Sequence, residues 1–562
     1  MSKYFSSSIP DNPRNRKLLE HIRQAGLGYL GTAIPELPFS KYQIYFETGS
    51  RVEYEACYID RRRRLNVYTA LSISLGESVW LNGLEDILWA ICNEFTWAFP
   101  AHIKDETDLW ESSRTIDLFA AETGMAVSEA CFLAGEKLSP LVRKRVEEEV
   151  KRRLLIPYQQ RDIRFHKDNW SAVCAGCIAM AAMYWDGYEG YLAIEKKVLT
   201  SMKDFLDSYE ADGCCLEGIL YWGYGYGYFC YFAHMLRWFS RGKTDLFRSE
   251  KVKQMALFAQ KISLGQDAAV PFADAPHSYR PHIGLIHLLA KEYDEVTLPH
   301  ESCTCWFDDD IRHRFADFVR DLYWYDPALE KENRNEELVI FEKSQWYLSR
   351  RPLYSFAAKG GRNHEPHNHN DIGHFILYAD GQFVLDDLGW PEYDSAYFTE
   401  KRYENLCASS FGHSVPILNG TGQAAGKEHR GSFMRAEKNF LQMDITRAYT
   451  DGTCRKLIRE FALQNTSIRL TDHLEGVTGQ VKERFITRIP PVIESPSSLT
   501  IGGWRLTADC TAGMFTAGKT YFHPRLSICR MDMKPVETVW CIDFIVKEPR
   551  KLTFLIKKIH PI

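Results

Sequence analysis

The chain has 562 residues, of which 45% are hydrophobic and 25% charged, and a net charge of −5. That length is too great for one compact domain and fits two or three, each able to bury a large core. The acidic balance gives no reason to expect nucleic acid, and the longest apolar run, Cys177 to Trp185, falls far short of the roughly 20 residues of a membrane helix, so no membrane partner is expected.

In chain order, Met1 to Pro10 lack the apolar stretch of a secretory signal, which leads to the expectation of a cytoplasmic protein. The basic run Arg61-Arg62-Arg63-Arg64 sits in helix-like sequence and reads as a solvated helix face. Apolar residues then recur at three- and four-residue spacing over Leu84 to Phe95, Ile116 to Ala134, Pro140 to Ile156, Ser171 to Trp185 and Tyr191 to Tyr209. Lys331 to Glu337 is a polar linker. Beyond it lie short segments rich in β-branched and aromatic residues: Leu338 to Phe341, Leu353 to Ala358, Phe375 to Leu385, Ser467 to Asp472 and Leu552 to Ile556. The simplest reading is a helical domain over residues 1–330 followed by an antiparallel β domain over residues 331–562. Fifteen cysteines without a repeated spacing favour reduced, buried thiols over a disulfide framework.

Two loops stand out in the helical half. Phe165-His166-Lys167-Asp168-Asn169-Trp170 precedes a small-residue helix, and polar groups there either cap that helix or offer an anion such as a carboxylate the positive end of its dipole. The stretch Asp212 to Tyr228 alternates glycine and tyrosine, which suits neither a regular helix nor a buried strand. Glycines let backbone approach a ligand, and phenols supply titratable tips. Tyr221 and Tyr224 are weighed for chemistry, Tyr226 and Tyr228 for packing. With aromatic residues at 13%, stacking on sugar rings is open to the chain, and Trp97 and Trp222 are the candidates for it.

The densest signal is Asn363 to His374, where four histidines and two acids crowd just ahead of an apolar run. If this segment enters a strand, His367, His369 and Asp371 project together from one face. With Asp386 or Asp387 and with His413, the histidines make a three-ligand zinc sphere with an open fourth position. A regular two-residue turn at Asp380-Gly381 would put Asp386 on the face of His369, whereas a bulge or longer turn would put Asp387 there.

Together, Asp168-Asn169-Trp170 before a Gly/Ala-rich helix, Glu217-Gly218-x-x-Tyr221-Trp222-x-Tyr224-Gly225, and His367-x-His369-x-Asp371-x-Gly373-x-Phe375 followed by Asp387-x-Gly389 and Gly412-His413 resemble the heparinase II/III family of polysaccharide lyases, which includes oligoalginate lyases. The resemblance implies an incomplete α/α toroid packed on an antiparallel β-sandwich. It further implies an active site in the cleft between them and cleavage of uronate-containing poly- or oligosaccharides, of glycosaminoglycan or alginate type, by β-elimination.

It also implies roles. Asn169, helped by His166, would bind the uronate carboxylate, and Glu217 would lie in the substrate-binding loop. Tyr221 would protonate the leaving oxygen, with Tyr224 in reserve, and His367 would serve as base. His369, Asp387 and His413, where the Asp-x-Gly match selects Asp387 over Asp386, would hold a structural Zn2+. The expected partner is a uronate-containing oligosaccharide, with a homodimer as one open assembly. Two other readings stand beside this one. An inverting glycoside hydrolase would use two of Asp117, Glu122, Asp212 and Glu217, and a carbohydrate-binding protein of the same fold would have no turnover.

Overall fold

The computed structural model describes residues 4–6, 8–104, 107–331, 336–450, 452–524 and 536–559. Its first half is helical. Asp117 caps the helix Leu118–Ala134 by accepting from the Ala120 amide, and Asp168 caps Asn169–Leu192 through the Trp170 amide. Both helices are apolar on every side, as a helix wrapped by others must be, and Ala172, Ala175, Cys177 and Ala179 of the second are wholly buried. Asn169–Leu192 touches Leu118–Ala134, Glu195–Ser208 and Gly227–Phe239. Glu195–Ser208 lies outside them and buries only Val198, Ser201, Met202 and Phe205, the one-sided stripe of a surface helix. The whole is an incomplete α/α toroid, with one short hairpin, Ser263–Gly265 and Ala268–Ala269, that periodicity did not signal.

Among the described residues the second half forms three antiparallel sheets of nine, five and four strands. The five-stranded sheet comprises Leu338–Phe341, Trp346–Arg351, Tyr354–Lys359, Phe375–Ala379 and Gln382–Leu385. Alternate side chains divide its faces as strand geometry requires: Val339, Trp346, Ala357 and Ile376 join the toroid core, while Phe356, Ala358, Phe375 and Leu377 join the core of the β-sandwich. Burial on both faces explains why Tyr354–Lys359 is buried throughout. The central linker residues 332–335 lie outside the described residues, and the hydrophobic core runs past the 330/331 boundary into this sheet.

Two expectations change. Residues 364–374 form no strand; they make a loop in which His367 has a φ of 55°, the left-handed region that a β-carbon disfavours. The arginine run is not a solvated face: Arg61, Arg62 and Arg64 are buried, and Arg62 clamps Glu94 at 2.7 and 2.8 Å. A guanidinium accepts burial when such a carboxylate satisfies it. The fourteen cysteines among the described residues are free and mostly buried, as expected.

Candidate active site

A cleft of about 1020 Å³ opens between toroid and β-sandwich, lined by Asn169, Tyr221 and Tyr224 from one side and by His367, Tyr393 and Arg488 from the other. The Tyr221 ring stacks on the His367 imidazole with centroids 4.0 Å apart, and its hydroxyl lies 3.1 Å from that of Tyr393. Arg51 also lines the cleft, paired with Glu55 at 2.6 Å.

Behind this pair lies Asp274, wholly buried in the loop after Phe272. It accepts from His367 Nδ1 at 2.7 Å, His369 Nε2 at 3.0 Å, Tyr393 at 2.7 Å, Tyr397 at 2.6 Å and Arg402 at 3.1 Å. Burial alone would raise its pKa, but Arg402 and the two histidines hold it well below the usual carboxylate range. A carboxylate only accepts, so His367 carries a proton on Nδ1 and, when the ring is neutral, presents Nε2 as a lone pair. This nitrogen lies 3.7 Å from Glu217 Oε2.

Asn169 is placed by packing. Gly225 lies in a π-helical turn, Trp222–Tyr226, and a β-carbon there would stand 2.9 Å from that of Asn169. The glycine is thus needed for close approach to Asn169 rather than to a ligand. Asn169 Nδ2 donates to Glu217 Oε2 at 2.6 Å, while its buried Oδ1 has no hydrogen-bond partner. Glu217 follows suit in a tight spot: Gly218 has a φ of 97°, and a side chain there would meet Phe272 O at 3.0 Å. Burial, opposed by His367, pushes the Glu217 carboxyl up to about 7.

A second group lies behind His369. Ligand atoms of His369, Asp371, Asp387 and His413 all fall within 4.8 Å of one another, and all four residues are buried. His413 Nδ1 donates to Ser409 O at 2.8 Å and His369 Nε2 to Asp274, so each turns a bare nitrogen inward. Those nitrogens, and Asp387 Oδ2, have no hydrogen-bond partner, which suits a cation. Burial pushes the His413 imidazole down to about 4, keeping it neutral. His374 is not of this set, because its Nδ1 accepts from the Ser414 amide and its Nε2 faces Asp387 at 3.2 Å. Asp386 is turned away to His277 and Arg488. The register slips between Leu377 and Tyr378, the bulge that brings Asp387 rather than Asp386 toward His369.

Several sequence candidates lie elsewhere. Trp97 and Trp222 do not reach the cleft; both are buried and donate to Ile91 O and Met255 O, so their rings are core and not sugar platforms. Glu217 is buried behind Asn169 instead of lining the cleft. Tyr224 does line it, but its hydroxyl donates to half-buried Glu122. His166 is exposed at the rim against Trp170. None of Asp117, Glu122, Asp212 and Glu217 lines the cleft: Asp117 caps a helix and holds His102, Glu122 takes two tyrosines, and Asp212 binds Ser344 across the domain junction. Asp274, Tyr393, Tyr397 and Arg402 were not anticipated. Only Asp274 left a trace, as a lone acid inside the apolar run Val270 to Ala275.

Residues 334–501 match the family described as Heparinase II/III-like, C-terminal. No curated protein sequence matches the chain. Among solved structures it is similar to a heparinase III, at 12% identity and a TM-score of 0.63 over 98% of this chain and 85% of that one. It is also similar to the heparan sulfate lyase HepC of Pedobacter heparinus, at 13% identity and a TM-score of 0.58 over 99% and 84%. A chondroitin AC lyase of Streptomyces coelicolor A3, at 10% identity, gives a TM-score of 0.58 over 98% and 80%. These likenesses extend over toroid and sandwich together and show that the chain shares their fold, while the sequence match to the Heparinase II/III-like C-terminal family covers residues 334–501.

Proposed function

We propose that this protein is a lyase that cleaves uronate-containing poly- or oligosaccharides by β-elimination, leaving an unsaturated uronate on the new non-reducing end. The observation that carries this reading is the meeting of Tyr221 and His367 from opposite sides of one cleft, His367 bonded to Asp274 directly and Tyr221 linked to it through the Tyr393 hydroxyl. The uronate carboxylate docks by Asn169, whose Nδ2 keeps a second hydrogen beyond its bond to Glu217 and donates it as charge spreads onto the carboxylate in the transition state. His367 Nε2 removes the C5 proton, the C4–O4 bond breaks as C4=C5 forms, and the Tyr221 hydroxyl protonates O4. Asp274 holds the imidazole in its working tautomer and stabilises it once protonated. The hydrolase reading loses its carboxylates to structural tasks. The test is ultraviolet absorbance during incubation with uronate oligosaccharides: new absorbance from a conjugated double bond supports elimination, and new reducing ends without it contradict it.

Asn169→Ala is expected to depress turnover by about 10² to 10³, the loss seen when one preorganised donor to developing negative charge is removed. The melting temperature should change little, since Asp168 rather than Asn169 caps the helix. A large stability loss with full specific activity would make Asn169 a packing residue only.

For the buried group, His369, Asp387 and His413 fit Zn2+, and Asp371 offers a fourth donor. When bound, the metal supplies structural cross-linking of the loop 364–374 to the strand ends; proton transfers remain with His367 and Tyr221. Purified protein should carry close to one metal per chain, and His413→Ala should lower both metal content and melting temperature, because binding to the folded state is folding free energy. Metal-free protein whose melting is unmoved by chelator would remove this assignment.

A further inference from the structure

A second cluster of metal-ligating side chains lies in the toroid wall of the cleft, apart from His369, Asp387 and His413. Ligand atoms of His282, Asp310 and Asp317 fall within 4.8 Å of one another, and all three residues line the cleft. Helix packing sets two of them. The helices Ile283–Glu292 and Phe315–Tyr323 meet at Gly284, where a β-carbon would stand 2.3 Å from Arg320 O. That approach brings His282, just ahead of the first helix, against Asp317 and Asp321, which share one face of the second.

His282 is oriented as a ligand is. Its Nδ1 donates to Asp321 Oδ2 at 2.8 Å, so the neutral ring turns its Nε2 lone pair toward Asp317. Nε2 and Asp317 Oδ2 are 4.0 Å apart, too far for a hydrogen bond, yet one ion with bonds of about 2.0 to 2.2 Å can touch both. Asp317 is buried, and its other oxygen accepts from Tyr231. Asp310 Oδ2 takes the Arg314 amide at 2.6 Å and keeps a further lone pair. Charge points the same way. Asp310, Asp317, Asp321 and Glu122 are four carboxylates, and among the described residues Arg314 is the only arginine or lysine that ion-pairs with any of them, at 3.3 Å from Asp310 and 3.6 Å from Glu122. The hydroxyls of Tyr224 and Tyr228 on Glu122 and of Tyr231 on Asp317 satisfy oxygens without cancelling charge.

We propose that His282, Asp310 and Asp317 form a second metal site, whose remaining coordination positions open onto the cleft and take water or the hydroxyls of a bound sugar. One imidazole with two carboxylates suits Zn2+ or Mn2+ better than Ca2+ or Mg2+, which favour oxygen alone. Asp321 is a positioning residue that fixes the His282 tautomer. The site does not depend on the lyase reading.

The experiment titrates Zn2+ calorimetrically into the purified chain after dialysis against a chelator. Wild type should bind one equivalent more than His282→Gln. Asp321→Asn should bind as many as wild type, with one weakened by about 10- to 100-fold, the usual loss when the group behind a ligating histidine is changed. Equal binding by wild type and a folded His282→Gln would overturn the site, as would a wild type that takes up no Zn2+. If His282→Gln does not fold, wild type answers alone: Zn2+ should protect the His282 peptide from diethyl pyrocarbonate, which modifies an unprotonated imidazole nitrogen, and an unprotected His282 would overturn the assignment. These measurements count ions and not turnover, so their failure is separate from failure of the lyase reading.

Discussion

Tyr221→Phe is expected to abolish formation of unsaturated product, a loss of about 10² to 10⁴ in kcat for removal of one general acid, while oligosaccharide binding stays within a few-fold. The substitution deletes one oxygen and keeps the ring that stacks on His367. The hydroxyl faces the cleft, where it lies 3.1 Å from that of Tyr393. Affinity and fold should therefore survive what turnover does not. His367→Ala should be similarly impaired, and the double variant little worse than the poorer single one, because groups acting in one proton-transfer unit are not additive. Near-normal activity in Tyr221→Phe would shift the role to Tyr224, against its bond to Glu122. Near-normal activity in both phenylalanine variants would exclude a tyrosine acid.

Asp274→Asn should be the most damaging conservative change in the protein. The carboxylate takes five donors, two from imidazoles, two from phenols and one from Arg402. An amide can accept on one side only and must point hydrogens at the other donors. Breaking a buried pair in this way costs about 3 to 5 kcal/mol. Activity should fall by about 10⁴, since the imidazole loses both its orientation and the charge that stabilises its protonated form. The pH dependence gives a second readout. With its pKa held below the ordinary 3.8, Asp274 contributes stability fully above that value and loses it only as pH falls further. Wild type and variant should therefore differ by a constant amount at neutral pH and converge in strong acid. A variant with normal melting and normal turnover would remove Asp274 from its central place.

Much of this was legible in the sequence because the signals were local. The capping acids Asp117 and Asp168, the all-apolar helix after Asn169 and the dense histidine segment each act within a few residues. The order Asn169, Tyr221, His367, His369, Asp387 and His413 therefore carried the family resemblance. What escaped was set by distance and by burial. Asp274 acts through groups more than ninety positions downstream, and an isolated acid in an apolar run carries no periodic signal. Trp97 and Trp222 illustrate the converse. An indole is equally suited to a sugar platform and to a core, and only the acceptors at Ile91 O and Met255 O settle the matter. The expectation of a strand at His367 failed because alternation was inferred from spacing alone. A positive φ at His367 breaks that alternation and turns its imidazole to Asp274 beside Tyr221.

The decisive measurement is the mass of the products formed from a uronate oligosaccharide in water enriched in oxygen-18. Elimination adds no water, so one product should be lighter than its hydrolytic equivalent by one water molecule and neither should carry the label. Products that are saturated and labelled at the cleaved bond would contradict β-elimination in this cleft.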